Sequence, residues 1–165
     1  MLFFIELSTR RVHLAGMSEN PDGAWTTQQA RNFVFSLPER ERPLEFLFRD
    51  NDGKFTRAFD TVFNSEGIRV IHTPVRAPKA NAVAERFVGT IRRECLDWLL
   101  IVNPWHLQHA LREFVEHYNS HRPHRALGLA PPEPRHPPTT RTTPPAATIR
   151  RYDRLGGLIH EYLAA

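Results

Sequence analysis

The sequence predicts an α/β domain: a mixed sheet flanked by helices. Two observations carry this. Short apolar or alternating runs at 2–7, 11–17, 44–50 and 68–73 have the length and residue types of strands. Between and after them, apolar residues recur at helical spacing over about 26–37, 56–67, 82–100 and 104–119. Strands alternating with helices favour a sheet covered by helices.

Each element has its own reason. "LFFIEL" and "RVHLAGM", joined by "STR", read as a β-hairpin. "SENPDGA" is a loop by its turn residues. Thr26 or Thr27 is expected to cap a helix running to Leu37, with Ala30, Phe33, Val34 and Leu37 on one face. Residues 38–43 are a charged connector. "LEFLFRD" is nearly continuously apolar and fits a strand buried on both faces. Phe59, Val62 and Phe63 line one side of the next helix, which Gly67 stops. "IRVIHT" is a strand and "PVRAPKAN" a loop. On the long helix over 82–100, Val83, Ala84, Phe87, Ile91, Cys95 and Trp98 share an arc facing the core. On the last helix Trp105, Leu107, Ala110, Leu111, Phe114, Val115 and Tyr118 read as core. Residues 1–129 thus form the main domain. Residues 130–148 hold half of the 14 prolines and read as a linker. Residues 149–165 are a short terminal segment, a docking strand or helix.

Composition narrows the function. One cysteine, Cys95, excludes an internal disulfide and a cysteine-rich zinc site, and points to a cytoplasmic location. Its place on an apolar helix face favours inert packing over nucleophilic chemistry. No apolar run approaches the roughly 20 residues of a membrane span. The net charge is +4, and Lys54 and Lys79 are the only lysines among 22 basic residues. A basic chain suits a polyanionic partner such as nucleic acid.

Two carboxylates stand out. Asp50 closes the strand 44–49, and ligands of open α/β sheets gather beyond the carboxyl ends of strands. A simple turn built by "DNDG" explains the same residues. Glu85 lies in the first turn of its helix at the border of the apolar face. It either complements the helix dipole or leans toward Asp50. Mg²⁺ takes such carboxylates and leaves room for substrate phosphates. Lys54 lies four residues after Asp50, and Lys79 six before Glu85. His117, His121 and His124 have spacings that fit zinc, but Pro123 breaks the helix before the third. A solvated or DNA-facing cluster reads better.

"RDNDGKFT", "HTPVRAPKANAVAERFVGTIRRE" and the closing "EHYNSHRPHRALGLAPPE" together resemble the catalytic core of retroviral-type integrases and the DDE insertion-sequence transposases. The resemblance spans residues 2–135. It implies an RNase H-like mixed sheet of order 3-2-1-4-5. It makes Asp50 and Glu85 the second and third carboxylates of an Asp-Asp-Glu triad holding two Mg²⁺ (or Mn²⁺) ions. The activity it implies is phosphodiester hydrolysis and strand transfer in DNA integration. It implies transposon-end and target DNA as partners and a homo-oligomer when intact. Lys54, Lys79, Asn81, Arg86, Arg92 and Arg93 become DNA-contacting candidates, and Asp52 a neighbour of the metal ligand. The departure from the family lies upstream. No aspartate matches the triad's first member, which sits on the family's first strand, and Glu6 falls where relatives carry a non-catalytic acidic residue. The expectation is a core lacking its first strand and inactive alone. The alternative is an inactive DNA-binding remnant or an assembly partner of a transposase.

Overall fold

A computed structural model of the chain describes residues 1–37, 43–74, 81–134 and 149–164. Among them the order is β1 (Leu2–Ile5), β2 (Val12–Gly16), α1 (Gly23–Ser36), β3 (Phe46–Arg49), α2 (Arg57–Ser65), β4 (Arg69–His72), α3 (Ala82–Glu94), α4 (Pro104–Ser120), β5 (Ile149–Arg154) and β6 (Ile159–Ala164). The architecture is mixed α/β. The strands pair as β1 with β2, β3 with β4 and β5 with β6, giving three two-stranded sheets where one larger sheet was expected. The β3–β4 pair is parallel, with Phe46 opposite Arg69 and Arg49 opposite His72. The chain divides into two compact units: residues 1–5 with 13–86, and residues 6–12 with 87–165.

The first unit is built on an aromatic core. Phe4, Ala30, Phe33, Phe59, Phe63 and Ile68 are buried together. Phe4 stacks on Phe33 with centroids 4.1 Å apart and meets Phe63 edge-on at 5.7 Å. Burying each such ring contributes about 2–3 kcal/mol. α1 starts earlier than expected because Asp22, not Thr26 or Thr27, is its cap: its Oδ1 accepts from the Trp25 N–H at 2.7 Å. Both threonines lie inside the helix, where their hydroxyls donate to the Asp22 and Gly23 carbonyls at 2.6 and 2.7 Å. Gly67 ends α2 at φ +75°, a left-handed conformation that glycine adopts without a Cβ penalty. β3 is not buried on both faces. Phe46 and Phe48 are 40% and 47% exposed while Arg49 is buried: among the described residues β3 pairs only with β4, and one face lies uncovered.

In the second unit Phe87, Ile91, Cys95, Ala110, Leu111, Phe114, Val115 and Tyr118 are buried, and Phe87 meets Tyr118 edge-on at 5.1 Å. Asn103 caps α4 by accepting from the His106 N–H at 2.8 Å, and Pro104 occupies the first turn. α3 stops at Glu94, short of the expected Leu100. The backbone turns at Cys95 into a single 3₁₀ turn over Leu96–Trp98. That break swings Trp98 off the core arc. It is 71% exposed, with its indole N–H donating to the Arg93 carbonyl at 2.8 Å. Trp105 is 80% exposed in the first turn of α4, ahead of the helix's buried face. Both had been expected in the core. Asn119 is buried and clasps β2 with both ends of its amide: Nδ2 donates to the Val12 carbonyl at 2.8 Å, and Oδ1 accepts from the Val12 N–H at 2.9 Å.

The terminal segment is an antiparallel hairpin, with Arg154 opposite Ile159 and Arg150 opposite Leu163. Its tight loop runs through left-handed φ values at Leu155 (51°), Gly156 (67°) and Gly157 (93°), which explains the paired glycines of "RLGGLI". Most of the expected linker, residues 135–148, lies outside the described residues.

Candidate functional site

Asp50 follows directly on β3, and the hydrogen bonds of β3's last residue fix the main chain there. Arg49 is buried. It holds Asp60 of α2 with two parallel bonds, Nε to Oδ1 and Nη2 to Oδ2, each 2.8 Å. Its remaining nitrogen, Nη1, donates to the Asp50 carbonyl oxygen at 2.8 Å. The His72 ring nitrogen completes the cluster, 2.9 Å from Arg49 Nη2 and 3.3 Å from Asp60 Oδ2. Burial would raise the Asp60 pKa, but the hydrogen bonds and charge of Arg49, with help from His72, hold it below its ordinary 3.8. Asn51 Nδ2 donates to the Thr73 carbonyl at 3.2 Å and ties the turn to the end of β4.

After Asp50 the chain makes two nested side-chain turns. Asp50 Oδ1 accepts from the Asp52 N–H at 3.1 Å, and Asp52 Oδ1 accepts from the Lys54 N–H at 3.0 Å. Lys54 Nζ sits 3.1 Å from Asp52 Oδ2. The Lys54 backbone bond, then its ammonium, lower the Asp52 pKa. "DNDG" is therefore a turn, and that turn presents Asp50 to solvent at a cleft.

The cleft lies within the first unit and measures about 300 Å³. Met1 with Leu2, Phe3 and Phe4 of β1 lines it, as do Leu47, Phe48 and Arg49 of β3 with Asp50 beyond it, so it runs between the two strands. Asp52, Lys54, Asn81 and Ala84 also line it. The structure thus brings Asp50, Asp52 and Lys54 to one cavity with the first residues of α3. Glu85 is the next residue after Ala84. It is exposed, donates its N–H to the Asn81 carbonyl at 2.9 Å and is not among the lining residues. Arg86, Arg92 and Arg93 are exposed on α3, and Arg92 approaches Asp97 only to 3.9 Å. Lys79 lies outside the described residues. Glu6 accepts from the Thr9 hydroxyl at 3.0 Å, a hairpin bond away from the cleft.

An exposed aspartate that, among the described residues, is engaged only by a turn amide is a fitting donor for a hard, oxygen-seeking cation such as Mg²⁺. Among the described residues, one group of three side chains has ligand atoms close enough to share an ion. It consists of His117, His121 and Glu161, and Asp50 and Glu85 are not part of it. Cys95 is buried, and burial pushes its thiol up to about 11, so it packs rather than reacts.

Sequence reasoning missed the Arg49–Asp60–His72 anchor. Its signal was a charged residue at an inward position of a short strand, which demands a buried partner. It also missed Glu161, whose signal was the alternation of "LIHEYL", with Ile159 and Glu161 on the same buried face.

Residues 66–132 match the family model described as "Integrase core domain". The chain is 37% identical over 106 residues to the putative transposase InsD for insertion element IS2E of Escherichia coli K12; the match covers 62% of this chain and 46% of that protein. It is also 37% identical over 106 residues to the transposase InsD for insertion element IS2A/D/F/H/I/K of Escherichia coli, covering 33% of it. The chain spans about half or a third of the length of these curated relatives. The family-model match runs through the helical motif, its glutamate and the closing motif, and all these matches make the chain similar to DDE-type insertion-sequence transposase cores.

Proposed function

We propose that this chain, residues 1–129 above all, is part of a DNA transposition enzyme of RNase H-like fold, with Asp50 and Glu85 as two of its three metal-holding carboxylates. One observation carries the reading. Asp50 stands exposed at the C-terminal end of β3, on a cleft that the first residues of α3 also line, and the family's glutamate follows in that helical turn. The ions would be Mg²⁺ or Mn²⁺, which when bound activate a water or hydroxyl and stabilise the leaving oxygen of a phosphodiester. The chain's own part is placement. Arg49 pins the backbone of Asp50, the Asn51 bond to the end of β4 fixes the turn, and α3 carries Glu85 in its first turn. Lys54, Lys79, Asn81, Arg86, Arg92 and Arg93 would hold DNA backbone.

The cleft also supports a missing strand. It separates β1 from β3, the two strands between which the family's first strand and first aspartate would lie. A second reading, a DNA-binding or assembly partner without chemistry, is favoured by the absence of Asp50 and Glu85 from any three-ligand group among the described residues.

The test is a fusion. The aspartate-bearing strand of an insertion-sequence transposase is joined to the N-terminus, and Mg²⁺-dependent nicking of transposon-end DNA is measured. Nicking that Asp50→Asn and Glu85→Gln each reduce to background supports the enzyme. Nicking untouched by either substitution sinks the site assignment. DNA binding with no nicking by the fusion selects the second reading.

A further inference from the structure

The second unit holds a cluster for which the transposition reading has no use. His117 and His121 lie one turn apart at the C-terminal end of α4, and their rings are stacked, parallel within 4°, with centroids 6.2 Å apart. Both Nδ1 atoms aim at one oxygen. Glu161 Oε1 of β6 is 3.1 Å from His117 Nδ1 and 3.2 Å from His121 Nδ1. The three ligand atoms lie within 4.8 Å of one another. The Glu161 side chain is 3% exposed, and those of the histidines are 17% and 14% exposed.

A salt-bridge network alone does not account for this cluster. His121 Nδ1 is shut off from solvent and makes no hydrogen bond, although Oε1 is near. A buried imidazole nitrogen that meets its one near acceptor outside hydrogen-bond geometry is poorly satisfied. The spacing fits an ion instead. Zinc bonds of about 2.0–2.1 Å put neighbouring ligand atoms of a tetrahedron about 3.3 Å apart, close to the two observed separations. Arg154 supports the carboxylate, donating from Nε to Glu161 Oε1 at 2.7 Å and from Nη1 to Glu113 Oε2 at 2.8 Å. A carboxylate offers about four acceptor directions, so Arg154 and a metal can share it. Ligating carboxylates are characteristically held by such outer hydrogen bonds.

We propose that His117, His121 and Glu161 form a site for Zn²⁺ or a similar late first-row divalent ion, which clamps the C-terminal hairpin to α4. Two imidazoles and one carboxylate suit zinc and its neighbours rather than Mg²⁺. Three protein ligands leave a fourth position for water, on the side where the histidines reach solvent. The ligands come from segments 44 residues apart in sequence, so binding contributes directly to the stability of the closed arrangement.

The test uses the full chain, freed of metal with a chelator and titrated with Zn²⁺ by calorimetry and by thermal melting. One equivalent binds with a rise in Tm, and excess Mg²⁺ does not displace it. His121→Ala and Glu161→Gln each weaken binding about tenfold or more. His109→Ala, an exposed histidine of the same helix, and Asp50→Asn, in the other cleft, leave it unchanged. X-ray absorption of zinc-loaded wild-type chain shows nitrogen and oxygen ligands with imidazole scattering, which decides the matter even if Glu161→Gln does not fold. Failure to bind zinc, affinity indifferent to His121→Ala and Glu161→Gln, loss of binding in Asp50→Asn, or a shell of oxygen alone or with sulfur overturns the proposal. None of these outcomes depends on whether the chain cuts DNA.

Discussion

At the scale of single residues, Arg49 has the largest consequences in the first unit. A buried guanidinium needs partners for its donors, and three groups supply them: Asp60, His72 and the Asp50 carbonyl. Breaking such a pair from one side leaves a buried charge behind and costs more than the pair contributes. Asp60→Asn is therefore expected to lower stability by about 2–3 kcal/mol in urea unfolding. The same pair sets an acid response. The folded-state pKa of Asp60 is depressed, so its contribution is fully present above its ordinary 3.8 and is lost as pH falls below that through the folded value. Wild type should lose stability over that acid range while Asp60→Asn loses less. Parallel pH profiles for the two proteins would contradict the assignment. Asn119 shows the same logic without charge. Its amide matches the N–H and C=O of Val12, so the Asn of "HYNSHRPH" closes the second unit and the histidines beside it stay available.

At the scale of elements, caps decide where helices begin. The sequence placed the α1 cap on a threonine, but "NPDG" offered an aspartate one turn earlier, and Asp22 took the Trp25 N–H. Asp22→Ala should cost about 1 kcal/mol and lower Tm with the fold intact; no change would mean that the end of α1 is held by packing alone. α3 shows the opposite limit. Apolar periodicity runs on to Trp98, yet the helix stops at Glu94, because a helical pattern says which face would be buried and not whether a partner surface continues. The parallel β3–β4 pair likewise keeps one face uncovered although its residues are apolar enough for burial on both.

At the scale of the whole molecule, charge is the property that acts over distance. The chain carries +4, nearly all of its positive charge on arginine, and Arg86, Arg92 and Arg93 are exposed on one helix. If these three contact phosphates, replacing all three with alanine weakens DNA binding across sequences and flattens the salt dependence of the affinity by about three phosphate contacts' worth. Filter binding at several salt concentrations measures it, and an unchanged slope removes these arginines from the interface.

The local alphabet of the fold was legible in the sequence. Helices α2 and α4, the hairpin β1–β2, the Gly67 stop and the aromatic core of Phe33, Phe59 and Phe63 follow from periodicity and turn chemistry, which are properties of neighbouring residues. The order of the family motifs was legible for the same reason, since spacing along a chain needs no coordinates. The tertiary structure alone decided which distant groups meet. Glu161 comes within 3.1 Å of His117 across 44 residues, Arg49 is buried against Asp60 and His72, and β1 and β3 stand apart as walls of one cleft. Such meetings depend on loop closure and on the burial that repays it. A short window of sequence carries no record of that balance.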